Sequence, residues 1–346
     1  MKSSTSFFAW FRWPDSFVLT LDPSQPAQGA AVDIARLLAL RFPARQLDIR
    51  RRRRALAQLS GGQRSNFRGR GIEFEEVRGY QPGDDIRAID WRVTARTGSA
   101  HTKLFHEERE RPVLLVVDQR SSMQFGSQNC FKLVLAAEIA ALLAWSALAN
   151  NERVGGLLMR DSDHWEMRPK NSRRTVLALL SALAEAPKTP ETADNEVQDN
   201  DRFSNLLRSV RRVARPGSSI FLVSDFEGAD QDKAREEMFQ LARHVEITAI
   251  HCSDPLEAQL PPAGRYSVTD GHARADLDTG ISGLSERFAA LYAARVEDYQ
   301  LQLQRLGIPM LTASTTQAPL TILRNIYGGA PSTSQTTMST AAKHGI

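Results

Sequence analysis

Cysteine is nearly absent. Two residues, Cys130 and Cys252, stand far apart in a chain of 346. They form no metal-type pair, and each lies in an apolar segment, which points to buried free thiols in a reducing compartment. The seven histidines (His101, His106, His164, His244, His251, His272 and His344) show no His-x-x-His, HExxH or Cys–His spacing, so no zinc-type site is written here. Ser219 and Ser224 lack the Gly-x-Ser-x-Gly elbow of a nucleophile. Long hydrophobic runs are missing too. The best apolar window, Phe131 to Ala149, carries Lys132 and Glu138 and reads as a buried helix, not a membrane span. The N-terminus, MKSSTSFFAWFRWPDSF, is aromatic, but Arg12, Pro14 and Asp15 break it before a signal-peptide core forms. Packing on the protein suits Phe7, Phe8, Trp10, Phe11 and Trp13 better than a membrane surface. The expectation is a cytoplasmic chain with no transmembrane span and no catalytic constellation.

What is there is ordinary globular composition, 42% hydrophobic and 24% charged, enough for a substantial core. Net charge is +4 but uneven: residues 1–112 carry 20 Lys+Arg against 13 Asp+Glu, and the remainder 24 against 27. Residues 36–70 hold 11 arginines and one acid, Asp48. Such a stripe attracts phosphates or acidic protein surfaces. Its densest part is Arg50, Arg51, Arg52, Arg53 and Arg54. Nucleic-acid binding would need aromatic or base-reading groups beside the charge, and residues 45–66 have none. LSGGQ at 59–63 matches the signature of ABC transporter ATPases, yet no Gly-Lys dipeptide occurs in the chain, so the phosphate-binding loop that signature needs is missing.

Residues 30–41 have helical periodicity, Pro43 ends that helix, and 45–59 suit a second, cationic helix. GIEFEEVRGY at 71–80 alternates like a strand. Pro82-Gly83 is a turn, and Asp84 or Asp85 can cap a short helix over IRAIDW. A loop and a second strand follow. From 113 onward strands are expected at 113–118, 153–159, 163–168, 218–224, 245–252 and 308–312. Helices are expected at 129–149, 172–185, 202–214, 230–243, 283–306 and 318–326. The alternation predicts an α/β fold, a doubly wound, mostly parallel sheet with helices on both faces. A polar turn at 160–163 suggests one hairpin, hence one antiparallel strand. Residues 329–346 are Ser/Thr-rich and read as a disordered tail.

The chain is organised around VLLVVDQRSSMQFG, residues 113–126. Five apolar residues run into an aspartate, and small polar residues follow. The run reads as a strand buried on both faces. Open α/β sheets bind ligands at the carboxyl ends of their strands, so Asp118, Arg120, Ser121 and Ser122 should lie on the working rim.

Three segments together resemble the family called domain of unknown function 58. They are GRGIEFEEVRGYQPGDDIRAIDWRVTARTG at 69–98, HEERERPVLLVVDQRSSMQFG at 106–126 and LVSDF at 222–226. The resemblance implies a von Willebrand factor A-like domain over 113–328, preceded by a β-rich signature region over 69–112; the charge pattern adds an Arg-rich helical arm over 1–68. The resemblance also implies a protein partner, a MoxR-type AAA+ ATPase, and an adaptor role. Longer members resemble membrane-anchored proteins, and this chain shows no anchoring helices. In the signature region Arg78, Tyr80, Gly83, Asp84, Asp85, Arg87, Asp90, Trp91, Arg92 and Arg96 read as a capping and salt-bridge network rather than an acid–base pair, because no nucleophile accompanies them.

Von Willebrand A domains often bind a divalent cation through Asp-x-Ser-x-Ser, a loop Thr and a later Asp, hard oxygen ligands for a hard ion. The pattern maps onto Asp118, Arg120, Ser122 and Asp225. Arginine replaces the first serine. No Thr stands before Phe203, where Asp199 and Asp201 are the candidates to substitute. A +1 charge about 4 Å from a +2 ion costs about 8 kcal/mol at an effective dielectric of about 20. Three readings stay open: Arg120 paired internally with Asp118 and Asp225, a weak Mg²⁺ site with Arg120 swung out, or an outward Arg120 without metal. The expected cofactor is none. The alternatives to an adaptor are a metal-dependent binding or hydrolytic site at Asp118 and Asp225, and polyanion binding through Arg50–Arg54.

Overall fold

Six strands form the central sheet of the computed structural model, which describes residues 22–49, 72–81, 86, 89–107, 112–161, 163–185, 202–269 and 274–328. They are β3 (Val113–Asp118), β4 (Val154–Met159), β5 (His164–Lys170), β6 (Ser219–Ser224), β7 (Glu246–Ser253) and β10 (Met310–Ser314), in the spatial order β10-β7-β6-β3-β4-β5. All neighbours are parallel except β4 and β5. The order reverses direction between β3 and β6, the first and fourth of these strands in the chain. That is the switch point at which a doubly wound sheet opens a crevice above its carboxyl edge.

The continuous apolar strands follow from burial on both faces. Val113, Leu115 and Val117 enter one core with α1 (Ile34–Ala39), α3 (Lys132–Ala149), α4 (Arg173–Ala184) and α9 (Pro319–Tyr327). Leu114 and Val116 enter the other with α5 (Arg202–Val213), α6 (Asp232–Ala242) and α8 (Leu284–Arg305). α3 is long and apolar enough to cross a membrane by length and composition, but 89% of it is buried inside the protein.

Residues 27–49, expected within a basic arm, belong to the first core. Leu37, Leu40, Leu47 and Ile49 are buried there. Trp145 Nε1 donates to the Leu37 carbonyl (3.0 Å) and Ser146 Oγ to that of Leu47 (2.9 Å). Arg36 closes an ion pair with buried Glu138. The arginines at 36, 41 and 45 thus border apolar positions that need α3. Arg50, Arg51, Arg52, Arg53 and Arg54 lie outside the described residues, as do the aromatic N-terminus, LSGGQ, Asp199, Asp201 and the 329–346 tail.

The signature region forms a separate two-stranded antiparallel ribbon of β1 (Ile72–Gly79) and β2 (His101–Glu107). Its helix, α2 (Trp91–Thr97), begins later than IRAIDW: Asp90 is the cap, its carboxylate accepting from the N–H groups of Arg92 and Val93. One aspartate in extended geometry with two free N–H groups ahead of it decides the start. α2 then takes TART, expected as loop. Gly83, Asp84, Asp85 and Arg87 lie outside the described residues. The Tyr80 N–H donates to Ala100. Trp91 is 67% exposed and Arg96 is exposed, so neither locks this region onto the sheet. A second ribbon, β8 (Arg265–Thr269) and β9 (Arg274–Asp278), was not expected. Its strands are short and largely exposed, so no apolar alternation marks them.

Candidate functional site: the carboxyl edge of the sheet

The apolar run of β3 carries Asp118 to full burial at the strand end. A buried carboxylate needs partners, and the next turn supplies them. Arg120 lies 5% exposed. Its Nε donates to Asp118 Oδ1 and Oδ2 (3.1 and 3.2 Å) and its Nη2 to Oδ2 (2.8 Å). The Arg120 N–H donates to Oδ1 (3.0 Å), and Ser224 Oγ, at the end of β6, to Oδ2 (2.7 Å). Both Asp118 oxygens are thereby used by protein donors. The Arg120 guanidinium also donates to the Glu227 carbonyl (3.1 Å), stands 3.8 Å from Asp225 Oδ1 and lies over the Phe203 ring (5.6 Å). Burial alone would lower its pKa, yet Asp118 and Asp225 hold it above the usual arginine value.

Asp225 has a second cation. Lys132, in the first turn of α3, is buried and donates Nζ to Asp225 Oδ2 (2.9 Å) and to Glu257. Burial pushes the Asp225 carboxyl up, but Lys132 and Arg120 outweigh it and hold the pKa below the usual carboxylate value. Burial likewise works against the Lys132 charge, and Asp225 and Glu257 more than offset it. Lys132 was legible only as a charge inside an apolar helix. A lysine at the mouth of a helix buried on all sides demands a buried carboxylate, which was the available signal.

The network continues along the edge. Glu257 accepts from the Asp254 N–H (2.8 Å) in a capping box over α7 (Pro255–Ala258). Asp254, buried after β7, accepts from Ser127 N–H (2.9 Å) and Oγ and from Thr315 Oγ1 (2.6 Å). Burial opposes its charge, yet these donors hold its pKa low. One chain of polar contacts therefore fastens the ends of β3, β6, β7 and β10. Gly126 closes the loop: a Cβ there would stand 2.0 Å from the Cys130 carbonyl oxygen.

Ser121 and Ser122 part company. Ser121 is exposed, and its N–H and Oγ donate to Asp161 (2.9 and 3.2 Å), which also pairs with Arg202. Ser122 Oγ is buried with no hydrogen-bond partner. That oxygen suits a cation site, but its neighbours do not. A guanidinium occupies the other serine position, an ammonium sits on Asp225, and Asp118 has no oxygen to spare. The residues present do not fit a divalent metal. Among the described residues no three His, Cys, Asp or Glu are grouped as metal ligands.

Residues 76–298 match the family described as protein of unknown function DUF58. The chain belongs to the DUF58 family. An uncharacterized DUF58-like relative, Rv1480 of Mycobacterium tuberculosis, is 30% identical over 248 residues, covering 71% of this chain and 76% of that one. YeaD of Bacillus subtilis is 43% identical over 49 residues, 14% and 12% of the two chains. In solved structures, the conserved hypothetical protein BatB of Bacteroides thetaiotaomicron covers 62% of this DUF58 chain and 97% of its own at 15% identity, TM-score 0.39. An aerotolerance-related membrane protein of Bacteroides fragilis covers 62% and 96% at 11% identity, TM-score 0.36.

Proposed function

We propose that this DUF58 chain is a non-enzymatic adaptor that presents the carboxyl edge of its sheet to a protein partner, a MoxR-type AAA+ ATPase, in a chaperone-like or complex-maturation role. One observation carries the reading: Arg120 pairs with Asp118 and Lys132 with Asp225, so the two carboxylates that could hold a cation are neutralised from within. The edge is internally neutralised, so it offers a fixed surface instead of an open coordination position. Hydrolysis at Asp118 and Asp225 is disfavoured for the same reason, since both carboxylates are committed to buried cations. The partner's type rests on family analogy. The buried thiols of Cys130 and Cys252 support a reducing, cytoplasmic setting.

The surface itself is the loop after β3, where Ser121, Gln124, Phe125, Ser127 and Gln128 are exposed, Phe125 by 41%. The test is capture of the purified ATPase by immobilised full-length chain. Capture should occur with the wild type and fall at least tenfold for Phe125→Glu, whose melting midpoint stays unchanged. Absence of capture, or capture indifferent to Phe125→Glu, contradicts the proposal.

A further inference from the structure

Behind the edge, on the face of α5, α6 and α8, lies an apolar cleft of about 180 Å³. Phe203, Phe226, Met238, Tyr299, Leu303 and Leu306 line it. An apolar cavity of roughly 150 Å³ holds a benzene-sized group, so this one matches a single bulky side chain. Two of its walls are parts of the edge network. Phe203 carries the Arg120 guanidinium on its ring, and Phe226 follows Asp225 directly.

Phe226 is held at φ 60°, in the left-handed region that a bulky L-residue avoids. The edge network enforces it: Ser224 Oγ accepts the Phe226 N–H (2.9 Å) and Arg120 donates to the Glu227 carbonyl. This turn aims the phenyl ring among Phe203, Tyr299 and His251, with centroids 5.9 to 6.4 Å away. Strained backbone of this kind clusters at ligand clamps and switch regions.

Two arginines, Arg235 and Arg305, border its mouth. Arg235 is neutralised by Asp298 (3.3 Å) and Asp232 (3.9 Å) and donates to Gln302 (3.2 Å). Arg305 is exposed, and among the described residues nothing pairs with its guanidinium. An apolar slot beside an unpaired guanidinium complements one chemistry: a bulky apolar group with a carboxylate next to it. We infer that the cleft receives a partner's segment in which an aromatic or leucine side chain is flanked by Asp or Glu. This rests on the adaptor reading only for which protein carries the segment.

Sodium 3-phenylpropionate and 3-phenylpropanol, titrated into the full chain and read on the methyl and ring resonances of Met238, Leu303, Leu306 and Tyr299, test it without the ATPase. Both probes should bind saturably, the carboxylate more tightly. Arg305→Gln, at an exposed position, should weaken the carboxylate about two- to fivefold and leave the alcohol unchanged. Leu306→Trp, which fills the mouth, should abolish both. Absence of saturable shifts, or equal affinities insensitive to Arg305→Gln, overturns the inference. Self-association of the chain competed by the probe would assign the cleft to a second copy and overturn it as well. A failed ATPase capture alongside normal probe binding would sink the adaptor reading and leave the cleft's ligand class standing.

Discussion

Asp118 is the residue on which the edge turns, because five donor contacts converge on its two oxygens. Removing one member of a buried ion pair leaves the other charge uncompensated and costs about 3–5 kcal/mol. Asp118→Ala should therefore lower the denaturation midpoint instead of silencing a surface. Asp225→Ala should do likewise. The double variant should cost clearly less than the sum, since both substitutions act through Arg120 and neighbours in one network do not add. Chemical denaturation of the two singles and the double reads this directly; additive losses under 1 kcal/mol would show no coupling. His251 adds a pH signature. Burial first, with Lys132 acting in the same direction and Asp225 against it, lowers its pKa from 6.5 to about 4. The folded state then binds the proton less readily than the unfolded one, so stability declines as pH falls from 6.5 towards about 4. A shift of that size corresponds to roughly 3 kcal/mol. His251→Leu should flatten the midpoint over that window, and an unchanged pH slope would show that His251 does not cause it.

At the scale of elements, the N-terminal piece is the correction with consequences. Leu37 in α1 is 1% exposed against α3, so Leu37→Ala should destabilise the whole domain by about 2–5 kcal/mol, as core truncations do. A loss below 0.5 kcal/mol by denaturant titration would return α1 to a detached arm. The loop after β3 has its own test. Gly126→Ala meets a backbone oxygen that no side-chain movement relieves, and it should release Ser127 from Asp254, seen as faster amide exchange over 121–130. Much of this was legible beforehand. The six strands and the six long helices that follow β3 announced themselves because strands buried on both faces must be apolar throughout and amphipathic helices must be periodic. The position of Asp118 beside Asp225 was implied by the resemblance to von Willebrand factor A domains, not by the residues alone. What stayed hidden depends on partners distant in sequence. Nothing near Lys132 names Asp225 or Glu257. The start of α2 is set by the Asp90 carboxylate accepting from the N–H groups of Arg92 and Val93, which its sequence neighbours do not announce. The β8–β9 ribbon buries little, so its residues carry no pattern to read.

Among the described residues the largest sheet is doubly wound, and its carboxyl edge is closed by its own cations, Arg120 and Lys132. The basic run Arg50–Arg54 stands outside that account and has an independent test. If it binds polyanions, affinity for labelled RNA must fall steeply between about 50 and 200 mM salt, by roughly a decade per decade of salt for each phosphate neutralised. Absence of binding at the lower salt leaves the run a protein-contacting or solvated face. If buried Arg120 and Lys132 leave Asp118 and Asp225 no room for a divalent ion, the thermal unfolding midpoint of the metal-stripped chain should be the same with and without Mg²⁺. A ligand that binds only the native state raises that midpoint by an amount that grows with the logarithm of its concentration over Kd, so at about 10 mM Mg²⁺ no change is expected beyond the weak effect of the same ionic strength of NaCl. A rise of several degrees specific to Mg²⁺, and abolished by Asp118→Asn, would contradict it.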